Sequence, residues 1–195
     1  MKTAIILAKG PSLQHVDSFI EPSDHVAAIN DAASVLDRDV IEYVFFSDVL
    51  VCAKVESYQH KVQRFIGREP RDQEFSQYPD WIYPKWTYYR WCECCGDRGS
   101  LHKRILEGGI CHHHSTPAAI HWLRKFGKYD RIKIIGVDGG KDYHKDLTRL
   151  YEGFVAPLNE WKLITQRLAD ICHRVYGTEF IWFDESNHSG KSQQQ

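Results

Sequence analysis

Lys2–Leu13 reads KTAIILAKGPSL, and this stretch decides how the chain folds. Thr3 to Leu7 is a short continuous apolar run, the pattern of a strand buried on both faces. The run breaks at Ala8-Lys9-Gly10-Pro11-Ser12. Gly10 tolerates backbone angles and close approaches that other residues resist, Pro11 fixes φ, and Ser12 is placed to cap a following helix. A buried strand, a Gly-containing turn and a helix start together offer backbone N–H groups to a phosphate. The loop matches neither the G-x-G-x-x-G fingerprint nor the P-loop, so it specifies neither a dinucleotide nor a P-loop nucleotide site.

Working outward, the same strand-then-polar pattern recurs. His25 to Ile29 predicts a second strand ending at Asn30-Asp31, and Tyr43 to Phe46 a third ending at Ser47-Asp48. Val49 to Phe65 has helical spacing, with Val51, Val55, Tyr58, Val62 and Phe65 on one face and Gly67 as the stop. Ser115-Thr116-Pro117 predicts a hydroxyl-capped helix start continuing to Phe126. Arg131 to Val137 predicts a strand ending at Asp138-Gly139-Gly140. Pro157 to Tyr176 predicts the longest helix, and Thr178 to Phe183 the last strand. Strands alternating with helices define an α/β class: a Rossmann-like, mainly parallel sheet with helices on both faces.

The stretch from Arg68 to about residue 110 is different. It loses periodicity, and seven of the fourteen residues from Tyr78 to Trp91 are aromatic. The reading is one domain over residues 1–195 with an aromatic-rich insertion or lid at 68–110. Trp81, Tyr83, Trp86, Tyr88, Tyr89 and Trp91 form a local core, stack on a sugar, or stack on bases with Arg90 and its basic neighbours on phosphates.

A net charge of −1 and a pI near 6.8 exclude a whole-protein basic field for nucleic acid and leave only local patches. The N-terminal apolar run is too short for a signal peptide or membrane span, so a cytoplasmic protein with no integral membrane segment is expected. Its six cysteines are then expected as reduced thiols. A structural zinc on Cys92, Cys95, Cys111 and His113 is the lesser alternative, because C-x-C-C is not the usual knuckle spacing.

Ligands of open α/β sheets bind beyond the carboxyl ends of the strands. That rule gathers Lys9, Gly10, Pro11, Ser12, Asn30, Asp31, Ser47, Asp48, Ser115 and Thr116 as candidate ligand-binding residues. Asp138, His144 and His113 are the candidate catalytic groups, because a His near neutrality can take a hydroxyl proton. Any of His112 to His114 is also near enough to the helix start to meet an anion or act as the base. Trp86, Tyr89, Arg90 and Trp91 are the candidate acceptor-binding residues.

The ordered set Lys9-Gly10-Pro11-Ser12, Ile29-Asn30, Ser115-Thr116-Pro117 and Gly136-Val137-Asp138 resembles the small bacterial sialyltransferases of the lipooligosaccharide type. The resemblance implies a metal-independent glycosyltransferase that binds a nucleotide-activated sugar, with Gly10, Ser12, Asn30, Ser115 and Thr116 lining the nucleotide site. Three positions differ: Lys9 stands for the family's loop Asn, Pro117 for a Gly, and Phe154–Glu160 lacks the family's catalytic His. The acceptor is expected to be a glycan or a hydroxylated base in viral DNA. The Gly-Pro-Ser loop is also similar to that of pterin pyrophosphokinases, a reaction needing magnesium on Asp31, Asp48 or Asp138. A non-catalytic nucleotide- or DNA-binding module is the alternative outside enzymes.

Overall fold

A computed structural model describes residues 1–70, 74–89, 114–140, 142–147 and 157–185. Seven strands form one sheet in which every pairing is parallel. They are β1 (Thr3–Leu7), β2 (His25–Ile29), β3 (Ile41–Phe46), β4 (Val62–Arg68), β5 (Trp86–Tyr89), β6 (Arg131–Ile135) and β7 (Glu179–Trp182), in the order β5-β4-β3-β2-β1-β6-β7. The helices are α1 (Val16–Phe19), α2 (Leu50–Val55), α3 (Ser115–Lys125) and α4 (Leu158–Tyr176).

The chain steps outward from β1 to β5, then returns to lay β6 on the other side of β1. Right-handed crossovers in opposite directions lie on opposite faces of a sheet. Two cores result. Ile5, Leu7, Val26, Ala28, Val44 and Phe46 pack with Leu13, Val16, Phe19, Val51 and Val55. Ala4, Ile6, Ala27, Ile29, Phe45, Ile132 and Ile134 pack with the buried residues of α3 and α4. Alternate residues of each strand serve opposite cores, which is why β1 and β2 read as continuous apolar runs.

Two expectations fail. The helix read over Val49–Phe65 ends at Val55; Glu56–Lys61 is 3-10, and Val62 begins β4, with Gly67 inside that strand. Val62, Phe65 and Ile66 pair with Ile41, Val44 and Phe45 of β3, and sheet pairing outweighs an i, i+4, i+7 spacing that strands also satisfy by chance. The aromatic stretch is not all insertion. Phe75–Gln77 and Asp80–Lys85 are 3-10 turns, and Trp86–Tyr89 is the edge strand β5.

Trp86 joins the aromatic side of the core. Its ring lies 4.5 Å from Tyr78, 5.7 Å from Phe46 and 5.9 Å from Tyr83. Trp86→Ala should destabilise the fold by about 2 kcal/mol, below the cost at a fully buried ring because Trp86 is half-buried. Urea unfolding checks this, and an unchanged midpoint would contradict a packing role.

No described helix is long and apolar enough to cross a membrane. Cys52 and Cys172 are free and buried, and burial pushes each thiol up to about 12, which suppresses thiolate chemistry. The remaining cysteines, and with them the zinc candidates Cys92, Cys95, Cys111 and His113, lie outside the described residues.

Candidate functional site

The strand order reverses between β1 and β6, and a cleft of about 340 Å³ opens over the carboxyl ends there. That is the size of a small-molecule site, at the place the topology favours for one. Of the expected residues, Lys9, Gly10, Asn30, Ser47, Asp48, Ser115, Thr116 and Asp138 line it. Tyr143, His114, Trp161 and Lys162 complete much of the wall.

The floor is a pair of interlocked loops. Ala8 donates its N–H to Ile135 O and Gly10 to Gly136 O, both at 2.8 Å. Gly136 has φ +83°, and a Cβ there would lie 2.3 Å from Ala8 O. A Cβ on Gly10 would lie 2.4 Å from Asp138 Oδ2 and 2.6 Å from Gly136 O. The glycines therefore let the β1 and β6 exits approach closely. Gly10 itself has φ −72°, so closeness rather than an unusual angle is what requires it.

Ser12 does not act as the expected helix cap. Its hydroxyl accepts the Gly136 N–H at 2.9 Å, and its own N–H donates to Asp138 Oδ2 at 2.7 Å. Neither Ser12 nor Pro11 lines the cleft; Pro11–His15 is a 3-10 turn. Ser12→Ala should leave a buried N–H unpaired and destabilise the protein by about 2 kcal/mol. Chemical denaturation measures it, and a loss under about 0.5 kcal/mol would argue against the strap.

Lys9 is buried, and its Nζ lies 2.7 Å from Asp31 Oδ1; Lys54 reaches Asp31 Oδ2 at 3.8 Å. Burial lowers the pKa of Lys9, opposed by the Asp31 carboxylate. Asp31 is thus a counter-ion beneath the cleft rather than part of its lining. Asn30 has a left-handed backbone, φ 56°, a conformation Asn accepts more readily than most residues. Its Oδ1 is buried and, among the described residues, meets no hydrogen-bond donor.

The first turns of α3 and α4 border the cleft through Ser115, Thr116, Leu158, Trp161 and Lys162. Neither N-cap residue, His114 or Pro157, caps its helix with a side chain. The expected Ser115 cap is therefore the first helical residue instead. Uncapped first-turn N–H groups and the positive end of the helix dipole favour an anion. Asn159 Oδ1 accepts the Gly140 N–H at 2.8 Å, and Lys162 Nζ donates to Asp138 O at 3.1 Å, so α4 clamps the loop after β6.

His144 is buried and is not a lining residue; its N–H donates to Lys9 O at 2.7 Å and its Nδ1 accepts the Asp146 N–H at 3.3 Å. Trp86 lies in the aromatic core and does not line the cleft. Arg90, Trp91 and His113 lie outside the described residues, and of Tyr89 only the backbone in β5 is described. Among the described residues no three His, Cys, Asp or Glu side chains gather as a metal site. Trp161 falls within the helix read over Pro157 to Tyr176, and nothing in the sequence marked it as a cleft residue.

Solved structures share this architecture. CstII of Campylobacter jejuni, solved with the substrate analogue CMP-3FNeuAc, superposes with a TM-score of 0.59 at 14% identity, over 93% of this chain and 80% of that one. The fold is that of these sialyltransferases. CstII with CMP and a trisaccharide acceptor gives 0.54 at 12% identity over 93% and 80% of the two chains. The monofunctional α-2,3-sialyltransferase Cst-I of the same organism gives 0.56 at 15% over 93% and 75%. No protein-family model and no curated protein matches the sequence.

Proposed function

We propose that the protein is a glycosyltransferase whose donor is a nucleotide-activated sugar and whose acceptor is a glycan hydroxyl. The observation that carries this reading is the cleft itself, which lies at the switch point of a fold shared with proteins solved with CMP, a CMP-sugar analogue and a trisaccharide acceptor. In this reading the first-turn N–H groups of α3 and α4, with Lys162 and Lys9, receive the phosphate. They would stabilise the negative charge that gathers there as the sugar departs. The buried Asn30 Oδ1 can only accept, so it would take an N–H or O–H of the nucleotide rather than a phosphate oxygen.

The transfer needs no divalent cation in this proposal. Asp31, a candidate magnesium ligand, is already engaged by two lysines, and Asp138 accepts the Ser12 N–H. The test is a thermal-shift series with CMP, UDP, GDP and ATP, with and without magnesium. At least one pyrimidine or purine nucleotide should raise the melting temperature without magnesium, by mass action on the folded state. Asn30→Ala should keep the fold and weaken that nucleotide about fivefold or more, the worth of about 1 kcal/mol. No shift with any nucleotide would refute the donor site. A shift only with magnesium would favour pyrophosphoryl transfer.

A further inference from the structure

A second cavity, of about 270 Å³, lies at the exits of β3 and β4 and shares one residue with the cleft. Ser47 lines the cleft, Leu50 lines the second cavity, and Asp48 between them lines both, alone among the described residues. Asp48 is half-buried, and its Oδ1 accepts the Leu50 N–H at 2.9 Å. Its Oδ2 meets no donor among the described residues. One carboxylate oxygen is thus fixed by the backbone, and the other stands open where the two cavities meet. The other carboxylates of the cleft, Asp138 and Asp142, do not line the second cavity, and Asp138 gives an oxygen to the Ser12 N–H.

The rest of the second cavity is polar. Arg68 ties it to the cleft, with Nε donating to Ser47 O at 3.0 Å and a terminal nitrogen to Glu74 Oε1 at 2.7 Å. Gln77 and Tyr78 stand beside this pair. Tyr78 is only 6% exposed, its ring held against Phe46 and Trp86 with centroids 6.2 and 4.5 Å away. Its hydroxyl makes no hydrogen bond among the described residues. Burial pushes that phenol up to about 12, so a ligand meets it as a neutral hydroxyl that both donates and accepts. A buried hydroxyl without a partner is costly in an empty site and rewarding in a filled one. Guanidinium, carboxylate, amide and phenol beside the exposed Leu50 match a sugar, whose hydroxyls donate and accept and whose C–H face is apolar.

We propose that the second cavity seats the acceptor sugar and that Asp48 is the general base that takes the proton of its hydroxyl. The proposal rests on the glycosyl-transfer reading of the cleft. The acceptor oxygen bonds to the anomeric carbon of the donor while Asp48 Oδ2 takes its proton. The bond from the anomeric carbon to the phosphate oxygen breaks, and its electron pair leaves with the nucleotide. The Asp48 carboxyl returns the proton to solvent when the product leaves. A base has to stand where acceptor meets donor, and Asp48 is the residue placed there.

Two measurements on the full chain decide it. The first is hydrolysis of CMP-N-acetylneuraminic acid, UDP-glucose and GDP-mannose, with water in place of the acceptor. Asp48→Asn keeps an oxygen for the Leu50 N–H and removes the proton acceptor. It should lower turnover of the donor that the wild type accepts by roughly 100-fold or more, with the nucleotide-induced thermal shift unchanged. Turnover within about threefold of wild type overturns the base role, and so does loss of the nucleotide shift, which would make Asp48 a donor-binding residue. The second is saturation-transfer NMR with the methyl glycosides of galactose, glucose and mannose in the presence of the stabilising nucleotide. At least one should bind, and Tyr78→Phe, which keeps the ring packing, should weaken it about fivefold or more. No binding to the wild type, or equal binding to Tyr78→Phe, overturns the second cavity as the acceptor's seat. A wild-type protein that hydrolyses none of the three donors overturns the transfer reading itself, and the base role with it.

Discussion

Gly136→Ala should be the most damaging single-methyl change in the molecule. The position has φ +83°, which costs an alanine about 1–2 kcal/mol by itself. The larger cost is steric. The new Cβ would lie 2.3 Å from Ala8 O and 2.5 Å from Ala8 C. Those are backbone atoms of the β1 exit, and the Ala8 N–H is bonded to Ile135 O, so neither side can yield without breaking the β1–β6 register. A total loss of about 4 kcal/mol is expected, at the upper end for point substitutions. In a chain of this size that lowers the melting temperature by about 10 °C. Because Lys9, Gly10 and Asp138 flank the same contact, nucleotide-induced stabilisation should vanish even at temperatures where circular dichroism shows the variant folded. A melting temperature within about 2 °C of wild type would show that the two loops are not locked as described.

His121 should make the protein acid-labile. It sits on α3, fully buried, and its pKa is pushed down to about 4 by burial and, secondarily, by the Lys125 ammonium. In the unfolded chain it returns to its ordinary value near 6.5. Between these two values the unfolded state holds a proton that the folded state does not, so acid drives unfolding there. The stability is fully present above the unfolded pKa and is lost as pH falls through the window. Two to three pH units at about 1.4 kcal/mol each give about 3 kcal/mol. His121→Leu removes the titrating group while keeping an apolar side chain in the cavity. Its denaturant midpoint should fall less than the wild type's between about pH 7 and about pH 4, the difference amounting to about 3 kcal/mol. Parallel losses in the two proteins would assign the acid sensitivity to other groups.

The two predictions differ in how visible their causes were. Gly10 stood in the sequence at a strand exit, where a turn was expected, and Gly136 inside the strand read over Arg131 to Val137. That they face each other follows only from the switch in strand order, which sets β6 beside β1 although the two are more than a hundred residues apart. His121 carried no signal at all. It occupies a helix whose residues Ala118 to Leu123 are all buried, because α3 is covered by the sheet on one side and by α4 on the other. A helix buried on every side has no apolar stripe to read.

What the sequence alone determined was local. β1, β2 and the core of β6 follow from continuous apolar runs between polar exits, α4 follows from its helical period, and the α/β class follows from their alternation. The strand-end rule then brought Lys9, Gly10, Asn30, Ser47, Asp48, Ser115, Thr116 and Asp138 to one cleft without any coordinates. What tertiary structure decided was each outcome set by a distant partner. Val62–Arg68 is a strand because β3 lies open beside it, and Trp86–Tyr89 is one because β4 does. Ser12 is a strap rather than a cap because Gly136 and Asp138 arrive from 124 and 126 residues away. His114 meets Trp161 across 47 residues, and Thr165, one helical turn further on, bonds the same Trp161 carbonyl. Periodicity records which face of an element is buried. It carries no information about which donor will stand opposite which acceptor, since that depends on the relative placement of whole elements.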